Sequence, residues 1–239
     1  MPSIFTDRYR TFFMPAIKQL ALLFCVFFLI LNTTAQTNRK FYAKDAKQID
    51  KKRYDEYRGN PYFFEEFVSG VIVDNADNEY PSVLLNLNGY TGDLEVQEEG
   101  YYVALEESFY KSFTAKGKDG KEYAFKRNLH PDFSGKFFQV LYESEQVLLV
   151  KEFSVIFNEI VINNVGQTEK VKRFGSTYEY MMLSGLGKQD VTKLKISKKK
   201  LPEQLGKKKE LTDFIKAEKL SFKQDDELIT LIKHYETLL

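Results

Sequence analysis

The chain has 239 residues, 43% of them hydrophobic, with 35 basic and 34 acidic side chains, one cysteine and no tryptophan. A formal net charge of +1 gives no overall basic excess of the kind that nucleic-acid binding requires. The lone cysteine, Cys25, excludes an intrachain disulfide.

Arg8, Arg10 and Lys18 precede an unbroken apolar run from Leu20 to Leu31, and Thr33-Thr34-Ala35 follow. A positive flank, a short apolar run and small residues make up a secretory leader. The run has twelve residues, short of the ~20 that a membrane-spanning helix needs. Cleavage after Ala35 is expected, with a retained anchor as the alternative. Cys25 lies within the run and not at the cleavage point, so a lipid-anchored form is not expected and the mature chain has no thiol. This places the mature protein in the periplasm, at the outer membrane or in the medium.

Residues 36–239 carry 32 basic and 33 acidic groups. Residues 36–58 have a net charge of +4, residues 59–189 of −8 and residues 190–239 of +3. The expected division is a leader over 1–35, a polar arm over 36–59, a β domain over 60–196 and a helical tail over 197–239. The arm is charge-dense and reads as a loose segment or a short helix.

From Tyr62 onward, aromatic and β-branched residues come in short runs between Gly, Asn and Asp. Val71 to Val73 and Tyr80 to Leu87 read as a hairpin around a polar loop. Leu94 to Val96 and Tyr101 to Val103 form a second one. Ser108 to Thr114 alternates and resumes after a turn at Tyr123 to Phe125. Phe137 to Tyr142 pairs with Val147 to Phe157, and Thr177 to Leu183 with Val191 to Ile196. Strands at this spacing, without helical pattern between them, predict an antiparallel, mainly β sandwich or open barrel. Beyond Ile196 the period becomes helical. Leu228, Leu231, Ile232, Tyr235 and Leu238 form one stripe after the acidic start Asp225-Asp226-Glu227, which suits a helix dipole.

Chemical signatures are sparse. There is no G-x-S-x-G and no H-E-x-x-H, and Gly185-Leu186-Gly187 reads as a hairpin turn because no helix pattern follows it. The residues singled out as ligand-binding are Tyr101, Tyr102, Glu95, His130 and Asp132. Paired tyrosines offer an aromatic surface, and Glu95, His130 and Asp132 are the available acid–base groups. No residue is assigned a catalytic role, and no metal or cofactor is expected. Lys198, Lys199, Lys200, Lys207, Lys208 and Lys209 form a basic cluster suited to anionic headgroups, or else a solvated helix face.

Two stretches carry a resemblance: PYFFEEFVSGVIV with YPSVLLNLNGYTGDLEVQEEGYYVAL, and the closing YEYMMLSGLGKQDVTKLKISKKKLPEQLGKKKELTDFIKAEKL with DDELITLIKHYETLL. They resemble exported proteins of unknown function from Bacteroidota-type bacteria. The resemblance implies an envelope location and a β body, and carries over no site residue. The leading expectation is thus an exported envelope or periplasmic binding or interaction protein, leaning away from catalysis. The alternatives are a hydrolase with a carboxylate and histidine site, and a structural subunit of an envelope assembly.

Overall fold

The computed structural model describes residues 46–164 and 167–239. The leader and its cleavage point at Ala35 lie outside the described residues. Eleven strands among the described residues form one open antiparallel sheet in the order β1-β5-β4-β3-β2-β6-β7-β8-β9-β10-β11. They are β1 (Lys47–Ile49), β2 (Val68–Asp74), β3 (Glu79–Leu87), β4 (Leu94–Glu98), β5 (Tyr101–Ala104) and β6 (Tyr110–Lys116). The others are β7 (Glu122–Arg127), β8 (Phe137–Glu143), β9 (Leu148–Asn164), β10 (Gln167–Ser184) and β11 (Asp190–Leu194). The mainly β architecture expected from the sequence is present, as an open sheet and not a closed barrel.

Two meanders share the sheet. The chain runs β2 to β5 in one direction, returns to place β6 on the free side of β2, and then continues strand by strand to β11. Register puts Ile72 opposite Phe113, and Phe113 opposite Phe125. Side chains alternate across a strand, so these residues share one face with Val68, Leu85, Val96 and Val103. That face builds the larger core, in which the Phe113 and Phe125 rings stack at 4.5 Å.

The segment before β2 crosses between the two arms of this sheet. Arg58 exchanges backbone hydrogen bonds with β10, donating to Lys172 and accepting from Phe174. Five residues on, Phe63 donates to Leu87 of β3. Gly89, in the loop after β3, donates to Pro61 and accepts from Val155 of β9. The end of the segment read as a polar arm is therefore structured: it adds β1 to the sheet edge and packs Tyr54 and Tyr57 against the core.

Gly70 occupies a tight point in β2. A Cβ there would lie 2.3 Å from the Thr114 carbonyl oxygen and 2.8 Å from a Leu85 methyl carbon. Both neighbours are fixed by strand pairing. Gly70→Ala is expected to cost about 1–3 kcal/mol in urea unfolding. A neutral result would mean that β2 and β6 separate easily.

Three helices among the described residues close the chain: α1 (Lys200–Gln204), α2 (Lys208–Ala217) and α3 (Asp225–Glu236). Their apolar faces cluster with Leu149, Met182 and Leu194 of the last strands and with Val147 just before β9. The stripe expected on α3 is buried at Leu228, Leu231, Ile232 and Tyr235. Polar ties hold both its ends. Asp225 accepts from the Tyr180 hydroxyl and the Lys151 ammonium, each at 2.8 Å. Glu236 accepts from Ser144 at 2.5 Å and Tyr142 at 2.6 Å. A further apolar cluster, including Phe138, Leu148, Val150 and Met181, uses the alternate residues of the same strands. This end of the sheet is thus buried on both faces. No helix among the described residues is long and apolar enough to cross a membrane.

Candidate functional site

The residues singled out in the sequence fall in three separate places. Glu95 sits in β4 between Leu94 and Val96, and all three are buried. Its carboxylate pairs with Arg53 and accepts from Asn88 at 2.7 Å and from the Tyr62 hydroxyl at 2.9 Å. Asn88 also donates to the Tyr54 hydroxyl at 3.0 Å. Burial raises the Glu95 pKa, and the bonds from Asn88, Arg53 and Tyr62 offset this only in part. The same burial pushes the Tyr62 hydroxyl well above its ordinary range. Glu95 has no exposed surface, so it anchors residues 53–62 to the sheet and does not face a ligand.

Tyr101 and Tyr102 follow one another in β5 and so point to opposite faces. Tyr101 packs against the larger core. Tyr102 meets the Phe67 ring edge-on at 5.2 Å, with the Lys51 ammonium 5.4 Å from its centroid. They do not make a shared aromatic surface. His130 and Asp132 do come together, in a 3-10 turn ahead of β8. His130 Nδ1 accepts the Asp132 backbone N–H at 3.2 Å and lies 3.5 Å from the Asp132 carboxylate. The histidine caps this turn, and no contact joins the pair to Glu95 among the described residues. Among the described residues, no three His, Cys, Asp or Glu side chains gather as a metal ion would require. In the lysine cluster, Lys200 and Lys208 lie 3.5 Å and 3.3 Å from Glu203, and Lys198, Lys199 and Lys209 are exposed around α1 and the start of α2.

A cleft lies in a different place. It measures about 330 Å³ and opens where the loop after β3 meets β9 and the turn before β8. It is lined by residues 87–93, 134–137 and 152–154, with Leu105, Glu107 and Arg127. None of the five residues singled out lines it. Leu87, Leu105, Phe137 and Phe153 supply apolar wall and are buried.

Arg127 is the unusual group. It is only 7% exposed. Its guanidinium lies over the Phe137 ring at 3.9 Å, and its Nη1 donates to the Glu107 backbone carbonyl. The buried Nε has no hydrogen-bond partner. Among the described residues no carboxylate forms an ion pair with it. Burial lowers the Arg127 pKa, against the more distant carboxylates of Glu107, Asp93 and Glu106. An arginine stays charged through such a shift. By contrast, the other arginine with an unpartnered Nε, Arg53, has Glu95 as its counter-ion.

The sequence held a signal for Arg127. Tyr123, Phe125 and Arg127 share one face of β7, so the arginine occupies a core-facing position. A cation in that phase marks either a buried pair or a site. Comparison with family models, curated proteins and solved structures gives no match for the chain.

Proposed function

We propose that the chain is an exported, envelope-associated binding protein whose small ligand occupies the cleft at Arg127. The supporting observation is a nearly fully buried cation, lining a cleft, that makes no direct ion pair among the described residues and has only the longer-range carboxylates of Glu107, Asp93 and Glu106 to offset it. Burying a charge costs several kcal/mol unless a partner offsets it. The Phe137 ring offsets up to ~2 kcal/mol, and the Glu107 carbonyl and the carboxylates of Glu107, Asp93 and Glu106 offset part of the rest; a ligand carboxylate in direct contact would add to this. The cleft volume falls at the lower end of the range for small-molecule sites, ~300–1,000 Å³, and its apolar walls with few polar groups fit that class.

The reading has a consequence for the empty protein. Arg127→Met keeps most of the volume and removes a buried charge that makes no direct ion pair among the described residues. It should raise stability by about 1 kcal/mol, or ~2–4 °C in melting temperature for a domain of this size. A variant that instead loses several kcal/mol would make Arg127 a structural residue and end the proposal.

One feature favours a second reading, as an interaction subunit. β9 and β10 stay paired from Leu148 and Leu183 to Asn164 and Gln167, well past the last pairing with β8 at Glu152. This ribbon exposes Ile156, Phe157 and Val161, and exposed apolar residues on a strand ribbon suit protein contact. Sedimentation and pull-down of an Ile156→Lys, Val161→Lys double variant would test it.

A further inference from the structure

The cleft carries charges of both signs, and only some are paired. Lys136 and Glu152 satisfy each other at 2.6 Å across the rim. What remains among the lining residues is Arg127 together with the carboxylates of Asp93 and Glu107, which act on it through space but form no ion pair with it among the described residues. The Glu107 carboxylate lies against Gly135. A Cβ on Gly135, whose φ is +80°, would lie 1.7 Å from Glu107 Oε1, so the carboxylate covers Gly135 at the cleft wall.

This arrangement discriminates between ligand classes. With the Lys136–Glu152 pair neutral as a unit, one cation faces two carboxylates. A simple anion would meet Arg127 but also two like charges, and a simple cation would meet the two carboxylates but also Arg127. A molecule bearing one charge of each sign meets a complement for both. The apolar walls at Leu87, Leu105 and Phe153 leave room for a side chain.

Resting on the binding reading above, we infer that the cleft takes a zwitterion of the amino-acid or short unblocked-peptide class. The ligand carboxylate faces Arg127 and its ammonium faces Asp93 and Glu107. The guanidinium fork suits a carboxylate. Ligand binding would give Arg127 a direct ion pair in addition to the longer-range carboxylates of Glu107 and Asp93.

The chain has no tryptophan, so a single introduced one reports on the cleft alone. Ser134, exposed at the cleft mouth, is the site: Ser134→Trp, with Thr91→Trp on the opposite wall as a second reporter in case the first ring blocks entry. The probes are dialanine, N-acetyl-dialanine and dialanine amide, which keep both charges, the anion alone and the cation alone. Dialanine should change the emission and saturate. Each blocked form should bind at least about tenfold more weakly. Adding Arg127→Met should weaken dialanine binding by at least about tenfold, and Glu107→Gln should weaken it while leaving N-acetyl-dialanine no worse.

Equal binding of dialanine and N-acetyl-dialanine would overturn the zwitterion and leave the cleft as a ligand site. So would silence from all three probes up to about 10 mM in both reporters, if Arg127→Met still stabilises the empty protein. Silence together with a destabilising Arg127→Met would overturn the binding reading itself.

Discussion

Arg53→Met should lower the stability of the protein by about 3–5 kcal/mol at neutral pH, the usual cost of stranding one partner of a buried ion pair. For a domain of this length that is a drop of roughly 10 °C in melting temperature. The loss arises at Glu95, which is fully buried and would keep only its bonds from Asn88 and Tyr62. The effect should depend on pH with a definite sign. The native pKa of Glu95 is already raised by burial above the ordinary 4.5. A carboxyl whose native pKa exceeds its unfolded value holds its proton more tightly in the native state. Its contribution is intact below the unfolded pKa and is lost as pH rises through the native one. Removing Arg53 raises the native value further, so the deficit relative to wild type should be small in acid and grow as pH rises above 4.5. Denaturant unfolding across that range measures it. Adding Glu95→Leu to Arg53→Met should recover part of the loss, because no stranded charge remains. A pH-independent deficit would mean that the arginine contributes packing and not charge.

Phe113→Ala should cost about 3–5 kcal/mol, the usual range for a fully buried aromatic ring. Phe113 is central in the larger core, stacked on Phe125 and meeting Phe137 edge-on at 5.1 Å. It is also held between β2 and β7 by register, with Ile72 on one side and Phe125 on the other. Little of the cavity can close, because sheet pairing fixes the neighbouring backbones. Phe113→Leu should recover more than half of the loss. Urea midpoints for the two variants decide this, and a cost for Phe113→Ala below about 1 kcal/mol would mean that the sheet relaxes around the gap.

Strand texture was legible because turn residues separate the aromatic and β-branched runs. The helical stripe on α3 was legible from its period. The polarity of residues 36–59 pointed to a loose arm or a short helix, but in the described part, from residue 46, three groups are fixed by partners far along the chain: Arg53 by Glu95, Tyr54 by Asn88 and Arg58 by β10. Local composition carries no trace of such pairing. Glu95 resembled the solvent-reaching carboxylates of hairpin faces, such as the half-buried Glu98 and the exposed Glu99. It differs because β4 is covered on both sides, and alternation cannot distinguish a solvated face from one covered by a distant segment. The proximity of His130 and Asp132 was readable from their spacing, whereas their role as a turn cap was not. The phase of β7 put Arg127 on the core side, but only the folded chain shows that no carboxylate pairs with it and that a cleft opens beside it.

Amide chemical-shift mapping of isotope-labelled protein titrated with dialanine tests the proposed ligand site most directly. Gly89 and Gly92 in the loop after β3 and Gly135 in the turn before β8 line the cleft and report it from two loops. The expected result is a saturable shift of these three amides, lost in Arg127→Met, with the exposed stretch of the β9–β10 ribbon around Val161 unmoved. Shifts confined to the ribbon, or identical shifts in Arg127→Met, would contradict a ligand held by that arginine.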